Sequence, residues 1–170
     1  STGTWWVLDN VTRTARVLTW GQPGDVPVPG NFDGVAGDDF AVWRPSYGIW
    51  YVLGSATNAS TAMTWGVIGD IPLATKFCST TASRSTWRAS AGGFFSTLAQ
   101  NNNYYLGTYN DIPVPANFTG AVDDVAIWRP GNGYWFVEKS PCDRWQIASS
   151  QIDVSLVHTK GIVVAAVKNG

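Results

Sequence analysis

Charge is scarce in this chain of 170 residues: 14% of positions are Asp, Glu, Lys or Arg, with one glutamate, Glu138, and one histidine, His158. The formal net charge of −1, and basic residues scattered singly, exclude the clustered positive face that DNA or RNA binding requires. No run reaches the roughly 18 consecutive apolar residues of a membrane-spanning helix, so no membrane span is expected. The stretch from Ser1 to Trp5 lacks a charged segment followed by an apolar one, so no signal peptide is expected within these residues. Cysteine is limited to Cys78 and Cys142, which allows either one disulfide or two buried thiols. Catalytic signatures are missing too. Gly-x-Ser-x-Gly, His-Glu-x-x-His and phosphate-loop patterns do not occur, and no Ser or Cys motif accompanies His158. The carboxylate pairs Asp38-Asp39 and Asp123-Asp124 belong to repeated turns rather than to one cleft. A non-catalytic protein is expected.

Helical periodicity is nearly absent as well. What replaces it is aromatic content of 14%, including ten tryptophans, arranged in a repeat of about 40 to 45 residues. Trp20-Gly21 through Asp25-Val26-Pro27 returns as Trp65-Gly66 through Asp70-Ile71-Pro72 and as Leu106-Gly107 through Asp111-Ile112-Pro113. Ala41-Val42-Trp43-Arg44 returns as Ser85-Thr86-Trp87-Arg88 and Ala126-Ile127-Trp128-Arg129, with an eroded copy at Ala165-Ala166-Val167-Lys168. A glycine-led aromatic segment follows each copy: Gly48-Ile49-Trp50-Tyr51, Gly93-Phe94-Phe95 and Gly133-Tyr134-Trp135-Phe136. Its fourth member, Gly3-Thr4-Trp5-Trp6, opens the chain.

Short period-two runs separated by Gly, Pro, Asn and Asp read as four strands per repeat, the unit of a β-propeller blade. The expected fold is an all-β, single-domain, four-bladed β-propeller spanning residues 1–170, with four-stranded antiparallel blades. The blades cover 26–65, 71–107, 112–147 and, shared between the two ends of the chain, 151–170 plus 1–20. A monomeric ring is expected, with an eight-bladed ring from two chains as the rival. Trp5, Trp50, Phe95 and Trp135 are expected on one face of the third strands, and Trp6, Tyr51, Ser96 and Phe136 on the other. Most tryptophans, together with Phe32, Phe77 and Phe118, are expected in the core.

The segment Gly24-Asp25-Val26-Pro27-Val28-Pro29-Gly30-Asn31-Phe32-Asp33-Gly34 through Asp39-Phe40-Ala41-Val42-Trp43-Arg44-Pro45 resembles the FG-GAP/VCBS-type repeats of secreted bacterial proteins and integrin-like propellers. The resemblance covers essentially the whole chain, strongest in the first and third copies. It implies a propeller fold and an extracellular setting. It also implies a calcium loop between the first two strands of a blade, and here the chain departs from the pattern. Asn31, Asp33 and Asp39 hold three ligand positions, with Asp38 as a possible helper, but Val35 replaces a carboxylate. Lys76 and Cys78 occupy two ligand positions of the second copy, and the third retains Asn117, Thr119 and Asp124 in a shortened loop. At most one weak calcium ion is expected, at Asn31, Asp33 and Asp39. A turn capped by those same side chains is the competing reading and the favoured one.

Asp25, Asp70 and Asp111 recur before the proline segment, and Arg44, Arg88 and Arg129 after the second strand. A charge present in every copy points to architecture, an ion pair or turn cap with the Arg stacked on Trp. A ring of cations holding an anion is the functional rival. For function, the expectation is an extracellular binding module for carbohydrate or a glycan-bearing surface, since sugar rings stack on aromatic faces. The residues expected to carry it are Tyr47, Tyr104, Tyr105, Tyr109 and Tyr134. The alternative is a structural or adhesive domain that contacts other extracellular proteins.

Overall fold

Turn residues at regular spacing cut this chain into short strands, each too small to bury its aromatic residues alone. The computed structural model describes residues 2–97, 103–120 and 122–139, plus the backbone of strands 154–159 and 162–167. The fold is all-β, and the described residues contain no α-helix, hence none long and apolar enough to cross a membrane. Strands β1 (Thr4–Leu8) and β2 (Ala15–Thr19) form a hairpin, here the first sheet. The second sheet runs in chain order through β3 (Val26–Pro27), β4 (Phe40–Arg44), β5 (Ile49–Leu53) and β6 (Ser60–Thr64). The third does the same through β7 (Ile71–Thr75), β8 (Ser83–Arg88), β9 (Gly93–Ser96) and β10 (Asn103–Tyr105). The fourth holds β11 (Ile112–Pro113), β12 (Val125–Arg129) and β13 (Tyr134–Glu138), and the fifth pairs β14 (Val154–Thr159) with β15 (Ile162–Val167). Every pairing is antiparallel.

Proline confines β3, β7 and β11 to sheet edges, where a missing amide donor costs no ladder bond. Two of them, β3 and β11, accordingly shrink to two paired residues. The glycine that leads the third strand has a steric cause at Gly3, Gly48 and Gly92, three of its four copies. Gly48 sits at φ +63° with the position of a β-carbon 2.5 Å from the carbonyl oxygen of Gly66, so any side chain would collide. Gly3 and Gly21 repeat the contact, as do Gly92 and Gly107. The Trp-Gly signal and the glycine-led strand are therefore two halves of one close approach.

That contact shifts the third-strand alignment by one residue in the third sheet. Gly92, not Gly93, matches Gly48, so Phe94 takes the place of Trp50 and Phe95 that of Tyr51. The register agrees: Trp43 faces Trp50, Trp87 faces Phe94 and Trp128 faces Trp135. The sequence expectation that Phe95 and Ser96 hold these positions is corrected. A doubled glycine, Gly92-Gly93, hid the offset.

Tryptophan joins one sheet to the next. Trp43 and Trp50, both fully buried, each donate Nε1–H to the carbonyl of Trp65, at 3.1 Å. Trp65 in turn donates to the Phe95 carbonyl of the third sheet, at 3.2 Å, and Trp20 likewise to Tyr51 of the second. Between loops, Ala82 N donates to Asn31 O and Asp123 N to Lys76 O, a repeated backbone tie across successive sheets. One core cluster holds Val28, Trp43 and Trp50, with Phe32 and Trp65 packed on it. A second holds Phe77, Trp87, Phe94, Val125 and Ile127, drawn from the third and fourth sheets.

Two expectations about the core fail at the margins. Trp6 is 78% exposed and Phe118 48% exposed. Trp6 lies on β1 at the position of Tyr51, whose ring is covered by Arg44 of the adjacent β4, and β1 has no strand beside its outer edge among the described residues to supply such a cover. Among the described residues no ladder joins the terminal pairs: β14 and β15 form their own sheet, and β15 lies against β13. The fourth strand expected near residue 147 falls outside the described residues.

Candidate functional site

The two ends of each sheet differ in chemistry. At one end, the turn entering the first strand meets the turn from second to third strand, and the repeated charges sit there. Arg44 grips Asp25 with two hydrogen bonds, Nε to Oδ1 at 2.8 Å and Nη2 to Oδ2 at 2.9 Å. Arg88 holds Asp70 in the same way, and Arg129 holds Asp111. Each Asp also accepts the backbone amide three residues before it, from Gln22, Val67 and Thr108. Each Arg lies over an aromatic ring of the third strand, Tyr51, Phe95 or Phe136, at 4.4 to 4.5 Å from the centroid. The stacking partner is thus the residue after the repeated Trp or Phe, a correction to stacking on Trp itself. One unit recurs three times: carboxylate, fork-shaped cation, ring and capped turn.

The electrostatics follow from the geometry. Burial raises the Asp25 carboxyl pKa, but the Arg44 bond, the Gln22 amide and the Arg44 charge outweigh it and hold the group below its ordinary value. The Arg129 hydrogen bond does the same for Asp111, against burial and with help from Thr108. Every acceptor oxygen of these carboxylates is engaged by its own turn and Arg. This leaves the trio as architecture rather than as a ring of free cations.

At the opposite end lies the loop from first to second strand. Asp39 is buried; its Oδ2 accepts the amides of Phe32 and Asp33 and its Oδ1 that of Ser55. Asn31 accepts from Gly34 N and donates to Val35 O. Asp33 accepts from Val35 N and the Thr57 hydroxyl. The structure brings Asn31, Asp33 and Asp39 together, and they cap the turn. The fourth sheet repeats the device: Asp124 Oδ2 accepts the amides of Phe118 and Thr119, and Asn117 accepts that of Gly120. In the third sheet Ser83 takes the position of Asp39 and turns its hydroxyl to Thr75 O instead. Cys78, in that sheet's loop, is disulfide-bonded. The sequence offers it one partner, Cys142, which lies outside the described residues.

The tyrosines divide. Tyr47, 69% exposed, projects from the turn between β4 and β5, and Tyr109, 72% exposed, from the turn between β10 and β11. Both turns belong to the Asp–Arg end. Tyr105 is exposed at the end of β10, its ring edge-on to Phe95 at 6.1 Å beneath Arg88. Tyr104 faces inward, 5.8 Å from Phe77 of the core, and serves packing. Tyr134 opens β13, half-buried, opposite Arg129. Of the expected five, three offer open rings. Sequence reasoning passed over Val67 and Ile68, exposed in the turn equivalent to that of Tyr109, and also Arg84 and Thr86 in β8. The signal for the latter pair was present: the other two copies hold apolar residues at those positions.

Comparison with protein families, with curated proteins and with solved structures finds no match to this chain.

Proposed function

We propose that this chain is an extracellular, non-catalytic binding module built as a four-bladed propeller, whose Asp–Arg end recognises a glycan. The observation that carries the reading is the pair of solvent-facing rings, Tyr47 and Tyr109, with Tyr105 beside Arg88, held on turns fixed by buried ion pairs. Exposed aromatic rings on a rigid frame lose little conformational entropy on binding, and their faces suit the apolar side of a pyranose ring. The fold part of the reading rests on two complete four-stranded meanders with a third of the same repeat. Pairing of β15 with β1 would complete the blade shared by residues 151–170 and 1–20 and would cover the exposed face of Trp6.

A glycan-array screen of the purified chain tests the binding reading. Tyr47→Ala and Tyr109→Ala should abolish any hit while leaving the melting temperature in place. A protein contact is favoured instead if the array is blank, because Trp6, Leu8 and Val17 present an apolar face on the β1–β2 hairpin. Solution scattering tests closure, since an obligate ring of twice the monomer mass would replace the four-bladed monomer. For calcium, the observed bonds of Asn31, Asp33 and Asp39 favour the capped turn. Calorimetric binding with a rise in melting temperature would assign a single cation to that loop instead.

A further inference from the structure

Where the third sheet faces the second lies a cation with no counterion among the described residues. Arg84 lies on β8, on the face turned toward the second sheet. Its Nη2 donates to Thr61 Oγ1 of β6 at 2.9 Å, and its guanidinium lies 5.4 Å from the centre of the Phe32 ring. No carboxylate pairs with it among the described residues, and its Nε, although buried, has no hydrogen-bond partner. Two residues on, and so on the same face of the strand, Thr86 is fully buried with its hydroxyl also unpartnered.

Both positions are apolar in the sister strands: Phe40 and Val42 in β4, Val125 and Ile127 in β12. Arg88, the next position along that face, is repeated and paired, which isolates Arg84 and Thr86 as the change peculiar to one sheet. The preceding gap handles the same space differently. There Arg16 of β2 reaches over Phe40 at 5.3 Å and bonds the Ser55 carbonyl. Burial pushes the Arg84 guanidinium below its ordinary pKa, and a guanidinium in a protein keeps its charge at neutral pH. A half-buried charge without a counterion and a buried hydroxyl without a partner are costly, and an apolar pair would fill the space at lower cost.

We propose that the gap between the second and third sheets is a binding site for an oxyanion, a carboxylate or a sulfate group, taken up by Arg84 with the Thr61 and Thr86 hydroxyls. Phe32 flanks the guanidinium and limits its exposure to water, which strengthens a charge-assisted bond to an incoming anion. The site is separate from the tyrosine surface and does not depend on it.

The test is an NMR titration of the full chain with sodium glucuronate and, separately, sodium sulfate. Ionic strength is held constant with chloride, and the Arg84 Nε–H cross-peak is followed. Saturable shifts with a millimolar Kd are expected for at least one of the two. Arg84→Leu, chosen to match the apolar counterparts in the sister strands, should weaken that binding at least tenfold and melt no lower than wild type. Response to glucuronate alone assigns a carboxylated ligand, and response to sulfate alone a sulfated one. No saturable shift with either anion, or unchanged binding in the Leu variant, overturns the site. Should the Leu variant fail to fold, Thr61→Val provides the second reading: unaltered affinity there also overturns it.

Discussion

The second and third sheets share four strands, register, a forked Asp–Arg pair and a tryptophan facing an aromatic ring, yet they differ wherever the repeat is silent. In β4 the residues around Trp43 are Phe40, Ala41 and Val42; in β8 those around Trp87 are Arg84, Ser85 and Thr86. The second sheet caps its loop with buried Asp39, and the third replaces that residue with Ser83 and ties its loop through Cys78. Among the described residues, the buried nitrogen and hydroxyl groups lacking partners fall on the third sheet alone, at Arg84, Thr86, Trp87 and Ser96. The lesson is one of division. Positions held constant between copies fasten the sheets, and positions that vary are where one sheet acquires a property of its own.

The sharpest way to break this comparison is to cut the repeated aromatic. Trp50→Ala should cost about 3–5 kcal/mol, since it empties a fully buried site and removes one of the two bonds to the Trp65 carbonyl. Trp6→Ala, at an equivalent strand but with an exposed ring, should cost less than about 0.5 kcal/mol. Denaturant unfolding of the pair measures both, and equal losses would show that Trp6 is covered in solution.

Next in size are Arg44→Ala, Arg88→Ala and Arg129→Ala, each leaving a buried carboxylate without its fork. Losses of about 1–3 kcal/mol are expected, similar in all three sheets. An unchanged melting temperature in any one would return that arginine to a functional role. The same pairs fix the acid response. Asp25 and Asp111 titrate below the ordinary 3.8 in the folded chain, so their stabilisation is complete above that value and fades as pH falls through the folded pKa. Acid melts should therefore fall more steeply below about pH 4 in wild type than in Asp111→Asn, which has no such proton to gain.

A smaller contrast separates the loops. Asp39→Asn keeps size but weakens acceptance of three backbone amides, and should cost about 1 kcal/mol. Ser83→Ala, with one hydroxyl bond to lose, should cost less in the same thermal melts. Smallest of all, Tyr47→Ala should shift stability by under about 0.5 kcal/mol, because its ring touches solvent. A large loss would mean that Tyr47 packs rather than binds.

Much of this was legible along the chain, and what was not has definite causes. Trp20-Gly21 and Trp65-Gly66 announced where fourth strands end, because a glycine is needed where two turns touch. Asp25, Asp70 and Asp111 with their arginines announced a recurrent ion pair, since charges 18 or 19 residues apart in every copy have few reasons to persist. The Phe94–Phe95 offset was invisible because Gly92 and Gly93 are alike in sequence and differ only in which one meets Gly107. Tyr104 and Tyr105 could not be told apart either, since alternation assigns them opposite faces without saying which face is covered.

Local residue chemistry sets the strand alphabet. Period-two runs, prolines that demand an edge and glycines that demand a close approach are local constraints, and local constraints survive translation into structure. What each strand meets depends on packing between distant segments. Trp6 and Tyr51 occupy the same position of the repeat, yet Trp6 is exposed while the Tyr51 ring lies under Arg44, because β1 has no second strand beside its outer edge among the described residues to supply such a cover. Arg44 and Arg84 are both arginines of second strands. One has a carboxylate delivered by the turn before it and the other has none, because a charge acquires its partner from the chain that packs against it.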